Sequence, residues 1–380
     1  MSAASIESLV QQIHGASTRF VLVTTGGGSL AISGLLTAGG ASRSVIEAAV
    51  PYSAEALAAW LGARPEHFCS SPTARAMAMV AWRRALSYEP QHADHLAGIA
   101  CTASLASDRP KRGPHRAHLA LQTAAETVAL SLELEKGRRT RAGEEQVVSG
   151  LILNLVAEAC GLAERWDLQL AAGEPLERAR TAAPGPWQDL LAGRAPRVAV
   201  GLAPANVLPR SKPLVFPGAF NPLHAGHRRM AQIAEEILGR PVEFELSIAN
   251  VDKPPLDFIE IEGRARQFTA GETLWLTHAP TFVEKAQLFG GPTFVVGADT
   301  IARIADPRYY AASPAAAQAA IERLASCGAD FLVFGRAVGG ELHTLSSVNL
   351  PPALARICKE VPAEVFCDGI SSTALRQQPK

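Results

Sequence analysis

Two imidazoles and two glycines stand close together in Pro217-Gly218-Ala219-Phe220-Asn221-Pro222-Leu223-His224-Ala225-Gly226-His227. Residues of these types suit the binding of phosphate. An imidazole N–H donates to a phosphate oxygen, and a glycine, having no Cβ, lets the backbone come close to a ligand. The flanking sequence supplies the elements such a site needs. Pro213-Leu214-Val215-Phe216 is a short apolar run bounded by prolines, as a buried strand is. From Arg228 to Leu238, apolar side chains recur at 230, 233, 234, 237 and 238, which is helical spacing. The stretch therefore reads as a tight turn from a strand into a helix that opens near Gly226. The first N–H groups of that helix and the positive end of its dipole face the turn, an arrangement that attracts phosphate. His224 and His227 can then donate to the same phosphate oxygens.

The pattern G-x-F-N-P-x-H-x-G-H resembles the nucleotide-binding signature of the nucleotidyltransferase (cytidylyltransferase-like) superfamily. With Asn-Pro ahead of the histidines, it is most similar to the nicotinate or nicotinamide mononucleotide adenylyltransferases. A second stretch, Gly369-Ile370-Ser371-Ser372-Thr373-Ala374-Leu375-Arg376, is similar to the superfamily's other phosphate motif, I-S-S-T-x-x-R. Physically, Ser371 or Ser372 can cap a helix start. Arg376 lies about one turn further on, so hydroxyls, N–H groups and a guanidinium face a triphosphate. The resemblance covers residues 213–380 and implies a Rossmann-like parallel sheet. It puts Gly218, Ala219, Phe220, Asn221, Gly226, Ile370, Ser371, Ser372 and Thr373 around a nucleotide, and His224, His227 and Arg376 at the reacting phosphates.

The acceptor side is read from two strand ends. Val242 to Ile248 alternates as a strand, and Ala249-Asn250-Val251-Asp252-Lys253-Pro254-Pro255 follows it. Strand C-termini in parallel α/β sheets face the ligand, so Lys253 is placed to meet phosphate; the resembled enzymes carry P-P-H-K there, which this loop half matches. Thr293 to Asp299 reads as a strand ending in Gly-Ala-Asp, which the mononucleotide adenylyltransferases also carry. Asp299 could accept a bond from a ribose hydroxyl. Helices are expected at 257–270, 313–326 and 352–359, and further strands at 331–334 and 363–367.

The chemistry implied is in-line attack by a phosphate oxygen of an acceptor on the α-phosphorus of ATP, with loss of pyrophosphate. Positioning and charge neutralisation carry such a reaction. Mg2+ is expected on the phosphates, where it keeps several waters; CTP remains open as donor. Asn221 and the Gly-Ala-Asp strand favour a pyridine mononucleotide acceptor. Against that, Phe282-Val283-Glu284-Lys285-Ala286-Gln287 stands where the bacterial nicotinate enzymes have a Ser/Thr-rich helix.

The first half repeats the strand–turn–helix arrangement. Phe20-Val21-Leu22-Val23 is an apolar run, then come Thr24, Thr25, Gly26, Gly27, Gly28 and Ser29, then a helical pattern over 30–36. This is a second candidate anion site. Helices are also expected at 4–14, from Ser53 as N-cap, at 71–87 and at 143–160, and strands at 95–103, 118–123 and 127–135. The Gly-rich turn, Pro51-Tyr52-Ser53-Ala54-Glu55, the 71–87 helix and Gly98-Ile99-Ala100 resemble the C-terminal amidase domain of the competence/damage-inducible (CinA) family, over about residues 5–162. That family deamidates nicotinamide mononucleotide and carries E-S-C-T-G-G at the turn. Aligned on the glycines, Thr24 falls at the family's nucleophilic Ser, Val23 at its Glu and Gly26 at its Thr. Leu57 falls at its Lys, and Ala97 at the Thr before G-I-A. A threonine nucleophile needs a base, and Leu57 removes the obvious one. We therefore expect a degenerate amidase domain kept for binding or assembly. The alternatives are a bifunctional deamidase/adenylyltransferase and a nucleotide sensor without turnover.

The chain has 380 residues, 48% hydrophobic and 19% charged, with Lys+Arg and Asp+Glu both 36. That length suggests two domains. The zero net charge argues against polymeric nucleic acid as partner. The six cysteines form no C-x-x-C pair, so free thiols in a reducing compartment are expected. With no run of about 18 apolar residues and no signal-like N-terminus, we expect a cytoplasmic protein that leaves membranes alone, in an oligomeric state left open. The expected organisation is α/β in two domains: 1–162 CinA-like, 163–212 a linker with a helical turn at 189–191 and a short strand at 197–200, and 213–380 a nucleotidyltransferase.

Arg376→Lys should lower transfer by roughly tenfold or more, the worth of a charge-assisted bond that a point charge cannot make bidentate. Its melting temperature should stay at the wild-type value. Wild-type turnover would leave Ser371–Arg376 as only a capped helix.

Overall fold

The fold is described from a computed structural model covering residues 6–108, 111–200, 212–249, 255–310, 313–338 and 341–366. The chain divides into two compact units, Met1–Ala192 with Asp252–Glu260, and Gly193–Val251 with Ile261–Lys380. Each is built on its own sheet.

In the first unit α1 (Ile6–Gly15), β1 (Arg19–Thr25), α2 (Ser29–Thr37) and β2 (Val45–Ala49) come first, followed by α3 (Ala54–Leu61), α4 (Ser71–Tyr88) and β3 (Leu96–Ser104). Then come β4 (His115–Thr123), β5 (Glu126–Leu134), α5 (Arg141–Ala159), β6 (Leu176–Ala182) and α6 (Gly185–Leu191). The sheet order is β2-β1-β3-β4-β5-β6, parallel around β1 and antiparallel from β3 onward. One face buries Phe20, Leu22, Ile99 and Leu119 against Leu9 and Ile13 of α1, Leu35 of α2 and Ile152 of α5. Side chains alternate across a strand, so Gly98, between Ala97 and Ile99, points to the opposite face. There it admits α4: a Cβ on Gly98 would lie 2.1 Å from the Ala78 carbonyl oxygen and 2.3 Å from the Trp82 nitrogen. Ser53, Ser70 and Thr140 cap α3, α4 and α5 by accepting from backbone N–H groups. Within this unit, buried Arg75 donates to both Asp257 oxygens at 2.7 and 2.6 Å and to Glu260 at 2.9 Å.

In the second unit β7 (Arg197–Val200), β8 (Leu214–Pro217), α7 (Ala225–Leu238) and β9 (Val242–Ser247) precede α8 (Phe258–Ala265, whose residues up to Glu260 cluster with the first unit), β10 (Thr273–Thr277), α9 (Phe282–Phe289) and β11 (Thr293–Gly297). After them come α10 (Ala298–Ala305), α11 (Pro314–Ser326), β12 (Asp330–Phe334), the hairpin β13 (Arg336–Val338) and β14 (Glu341–His343), α12 (Pro352–Ala355) and β15 (Cys358–Glu360). The main sheet runs β15-β12-β11-β8-β9-β10-β7, all parallel except for β7. Chain order therefore reverses between β8 and β11, the switch point at which open parallel sheets bind ligands.

The structure corrects several expectations. Residues 163–192 are not a linker: they cluster with the first unit. β6 is its edge strand, and Leu176-Glu-Arg-Ala-Arg-Thr-Ala hides this because an edge facing water keeps its charges. Arg178 and Arg180 pair there with Glu158 and Glu126. β7, expected as a short strand, is the antiparallel edge of the second sheet. The 352–359 helix stops at Ala355 and a strand follows it, whereas residues 363–365 form a turn instead of the expected last strand. The 257–270 helix is shorter than expected, and Thr273–Thr277 was not foreseen as a strand. Cys69, Cys101, Cys160, Cys327 and Cys358 are free thiols. Among the described residues no helix is long and apolar enough to cross a membrane.

Beside the hydrophobic core of the second unit lies a buried ion pair. Lys285 Nζ is 2.6 and 2.8 Å from the Glu245 oxygens, with the side chains 7% and 1% exposed. The Thr277 hydroxyl donates to the same carboxylate at 2.5 Å. Lys285→Met should cost about 3–5 kcal/mol by stranding the Glu245 charge. Adding Glu245→Gln should recover most of that loss. Denaturant titration of the single and double variants measures the coupling, and additive losses would contradict it.

Candidate functional site

The turn between β8 and α7 lies at the switch point of the second sheet. His224 is the N-cap of α7 and His227 sits in its first turn. The His224 N–H donates to His227 Nδ1 at 3.2 Å. An Nδ1 that accepts carries no proton, so in the neutral ring the proton is on Nε2. Burial, then the neighbouring His224, then Arg336 push the His227 pKa down to about 4. His227 is therefore a neutral imidazole at pH 7 with Nε2–H as its donor. Its ring lies 3.8 Å from that of His224, centroid to centroid.

The turn is held from below by aromatic packing. Phe220 is 1% exposed and meets Phe216 at 5.8 Å, Phe244 at 5.6 Å, Phe268 at 5.3 Å and His227 at 5.3 Å. Its φ of 46° lies in the left-handed region, which an aromatic residue adopts only under constraint. The packing also explains Gly218: a Cβ there would come within 2.5 Å of the Phe220 ring. The glycine makes room for a neighbour of its own chain. Phe220, expected beside a nucleotide, has its side chain in the core. Gln267 fixes the far side of the turn: its Oε1 accepts from the Leu223 N–H at 2.8 Å and its Nε2 donates to the Phe220 carbonyl at 2.9 Å. Arg264 donates to the carbonyl of exposed Ala219 at 3.1 Å. Asn221 is half-buried in the turn, and Gly226 is buried in α7.

Asp299, expected as the last residue of the strand, lies in the first turn of α10, two residues beyond the end of β11. It is across the switch point from the histidine turn. Arg336 Nη1 is 3.6 Å from an Asp299 oxygen. Arg336 and Gln267 escaped the sequence analysis because their roles come from distant strands and loops, with no local pattern to announce them. Lys253, Ile370, Ser371, Ser372, Thr373 and Arg376 lie outside the described residues.

In the first unit the glycine turn between β1 and α2 makes a different use of its donors. Glu145 on α5 accepts from the Gly28 N–H at 3.0 Å, the Ser29 hydroxyl at 3.0 Å and the Leu30 N–H at 3.2 Å. Arg141 adds an ion pair at 2.9 Å. Burial alone would raise the Glu145 carboxyl, but the Gly28, Arg141, Leu30 and Ser29 bonds outweigh it and hold it below the usual carboxylate range. A carboxylate of the chain thus takes the place expected for a bound anion. Thr24 is 1% exposed, and its hydroxyl donates to the Gly27 carbonyl. Thr25 and Gly26 line a cavity of about 360 Å3 with Tyr52, Cys69, Lys111 and Arg141. Leu57, where the amidases have lysine, also lines it.

No protein-family model matches the sequence, and no curated protein matches it. Solved structures of the competence/damage-inducible kind are similar over part of it. A competence-damaged protein (CinA) superfamily protein from Escherichia coli is 15% identical, covers 42% of this chain and 90% of its own, with a TM-score of 0.30. A competence or damage-inducible protein from Enterobacter asburiae is 18% identical over 41% of this chain and 99% of its own, at 0.32. One from Agrobacterium tumefaciens is 20% identical over 42% and 96%, at 0.29.

The His227 pKa carries a sign that can be measured. A histidine lowered from 6.5 to about 4 takes up its proton more readily when unfolded. Stability should be full above pH 6.5, fall as the pH drops towards 4, and flatten below. Melting temperatures of wild type and His227→Gln across pH 3.5–8 should diverge in that window, and an NMR midpoint for His227 near 6.5 would contradict it.

Proposed function

We propose that the second unit catalyses nucleotidyl transfer from ATP to a phosphorylated acceptor, releasing pyrophosphate. The observation that carries this reading is the neutral His227, with Nε2–H as its donor, in the first turn of α7 at the switch point. Such a donor suits a phosphate oxygen whose charge grows during in-line attack. A neutral imidazole donates without giving up its proton, which fits a reaction that needs no proton transfer from it. The dipole end of α7 adds to the same field. His224, adjacent to it, is the second donor. Mg2+ would enter on the triphosphate, held by its oxygens and by water.

The resemblance at 217–227 and 369–376 makes nicotinate or nicotinamide mononucleotide the acceptor of choice. Asp299 would accept from its ribose hydroxyl and Lys253 would meet its phosphate. Ser371, Ser372 and Arg376 would hold the β- and γ-phosphates. For the first unit we propose a binding or assembly role in place of deamidation. The Thr24 hydroxyl is spent on the Gly27 carbonyl and Glu145 takes the turn's donors. A nucleophile so engaged, with Leu57 in the lysine position, lacks a base.

The test is pyrophosphate release from Mg·ATP or Mg·CTP with a panel of phosphorylated acceptors, pyridine mononucleotides included. Product with a pyridine mononucleotide is expected, and His227→Ala should lower turnover by about 10² to 10³, the worth of one preorganised donor. Activity confined to another phosphate ester would replace the acceptor. The absence of pyrophosphate with every acceptor would end the proposal.

A further inference from the structure

At the switch point Arg336 has one described ion-pair partner, and a weak one. It follows β12, the strand beside β11, so it lies at the same C-terminal edge as the histidine turn and Asp299. Its contact with Asp299 is 3.6 Å, longer than a hydrogen bond of about 2.7–3.2 Å. Asp299 is 58% exposed and Arg336 29%, so the cation is the better sheltered of the two. Arg336 Nε is buried, and among the described residues it has no hydrogen-bond partner. A buried guanidinium N–H left unmatched is costly. Arg336 also lies close enough to His227 to help keep that ring unprotonated. The positive charge of a guanidinium, the N–H of a neutral imidazole and a helix N-terminus thus bear on one place, and the carboxylate paired with the guanidinium among the described residues is mostly in water.

We propose that Arg336 binds the phosphate chain of the nucleoside triphosphate at this site, and that Asp299 is its resting counter-ion, displaced when the phosphate arrives. This takes the site from the proposed function and adds a residue that neither sequence resemblance includes. A guanidinium offers a planar fork of donors that matches two phosphate oxygens at once. Nε, which has no hydrogen-bond partner among the described residues, becomes one tine of that fork. Asp299, released, is then open to a ribose hydroxyl, so binding the donor prepares the acceptor's side.

The experiment is calorimetric titration of the full chain with inorganic tripolyphosphate and with Mg·ATP, with melting curves recorded for each variant. Arg336→Ala should weaken tripolyphosphate binding by about ten- to a hundredfold, the range for a bond to a charged group. Arg336→Lys should restore only part of it. Asp299→Asn, which removes the competing carboxylate, should bind tripolyphosphate more tightly than wild type. A folded Arg336→Ala with wild-type tripolyphosphate affinity, or a wild type that binds no tripolyphosphate, would overturn the inference. Its failure is separable from that of the transfer reading. Pyrophosphate release with unchanged tripolyphosphate affinity in Arg336→Ala sinks only the arginine. Arg336-dependent tripolyphosphate binding without transfer to any acceptor sinks only the reaction.

Discussion

A single hydrogen bond, from the His224 N–H to His227 Nδ1, determines what the second unit can offer a ligand. It assigns the proton of a neutral His227 to Nε2, and burial keeps the ring neutral. The rest of the turn serves that geometry. Phe220 is held in the left-handed region by its aromatic neighbours and by Gln267, which bonds the chain on both sides of Asn221 and Pro222. Gly218 is glycine because the Phe220 ring needs the space. If the turn relaxed, the N-cap would move, and the Nδ1 bond would go with it.

The two units use one local device in opposite ways. Each has a strand, a glycine-containing turn and a helix, and each turn concentrates donors at the helix start. In the second unit those donors are combined with imidazoles and an arginine, all of them donors, so the arrangement suits an anion from solution. In the first unit Glu145 already satisfies Gly28, Ser29 and Leu30. An internal carboxylate comes at no cost in translational entropy, so a soluble anion competes with it poorly. The cavity beside that turn has Thr25 and Gly26 in its walls, with Tyr52, Cys69, Lys111 and Arg141.

Polar groups also organise the interior. Glu245 on β9 is bound by Lys285 from α9 and Thr277 from β10. The carbonyl of the same residue accepts from the Gly218 N–H at 2.9 Å, so the buried ion pair and the start of the histidine turn share one strand position. Arg75 does comparable work in the first unit, gathering Asp257 and Glu260. Such groups are weak as net stabilisers and severe when broken.

By itself the sequence determined what short-range physics can determine. Apolar runs bounded by prolines and glycines gave β1, β8 and β11, and helical spacing gave α4, α5, α7 and α11, because those patterns reflect one buried face. The histidine turn was legible for the same reason: strand, glycines, imidazoles and helix follow one another directly. Tertiary structure alone decided the rest. β6 reads as polar because its neighbour covers one edge and water the other, so its strand character comes from pairing with β5. The place of the Phe220 side chain in the core was decided by the aromatic rings that the fold gathers around it. Glu145 meets the glycine turn across more than a hundred residues of chain, and Arg336, just beyond β12, reaches Asp299 at the start of α10. Spacing along the chain carries no trace of such meetings, because they depend on which strands the sheet sets side by side.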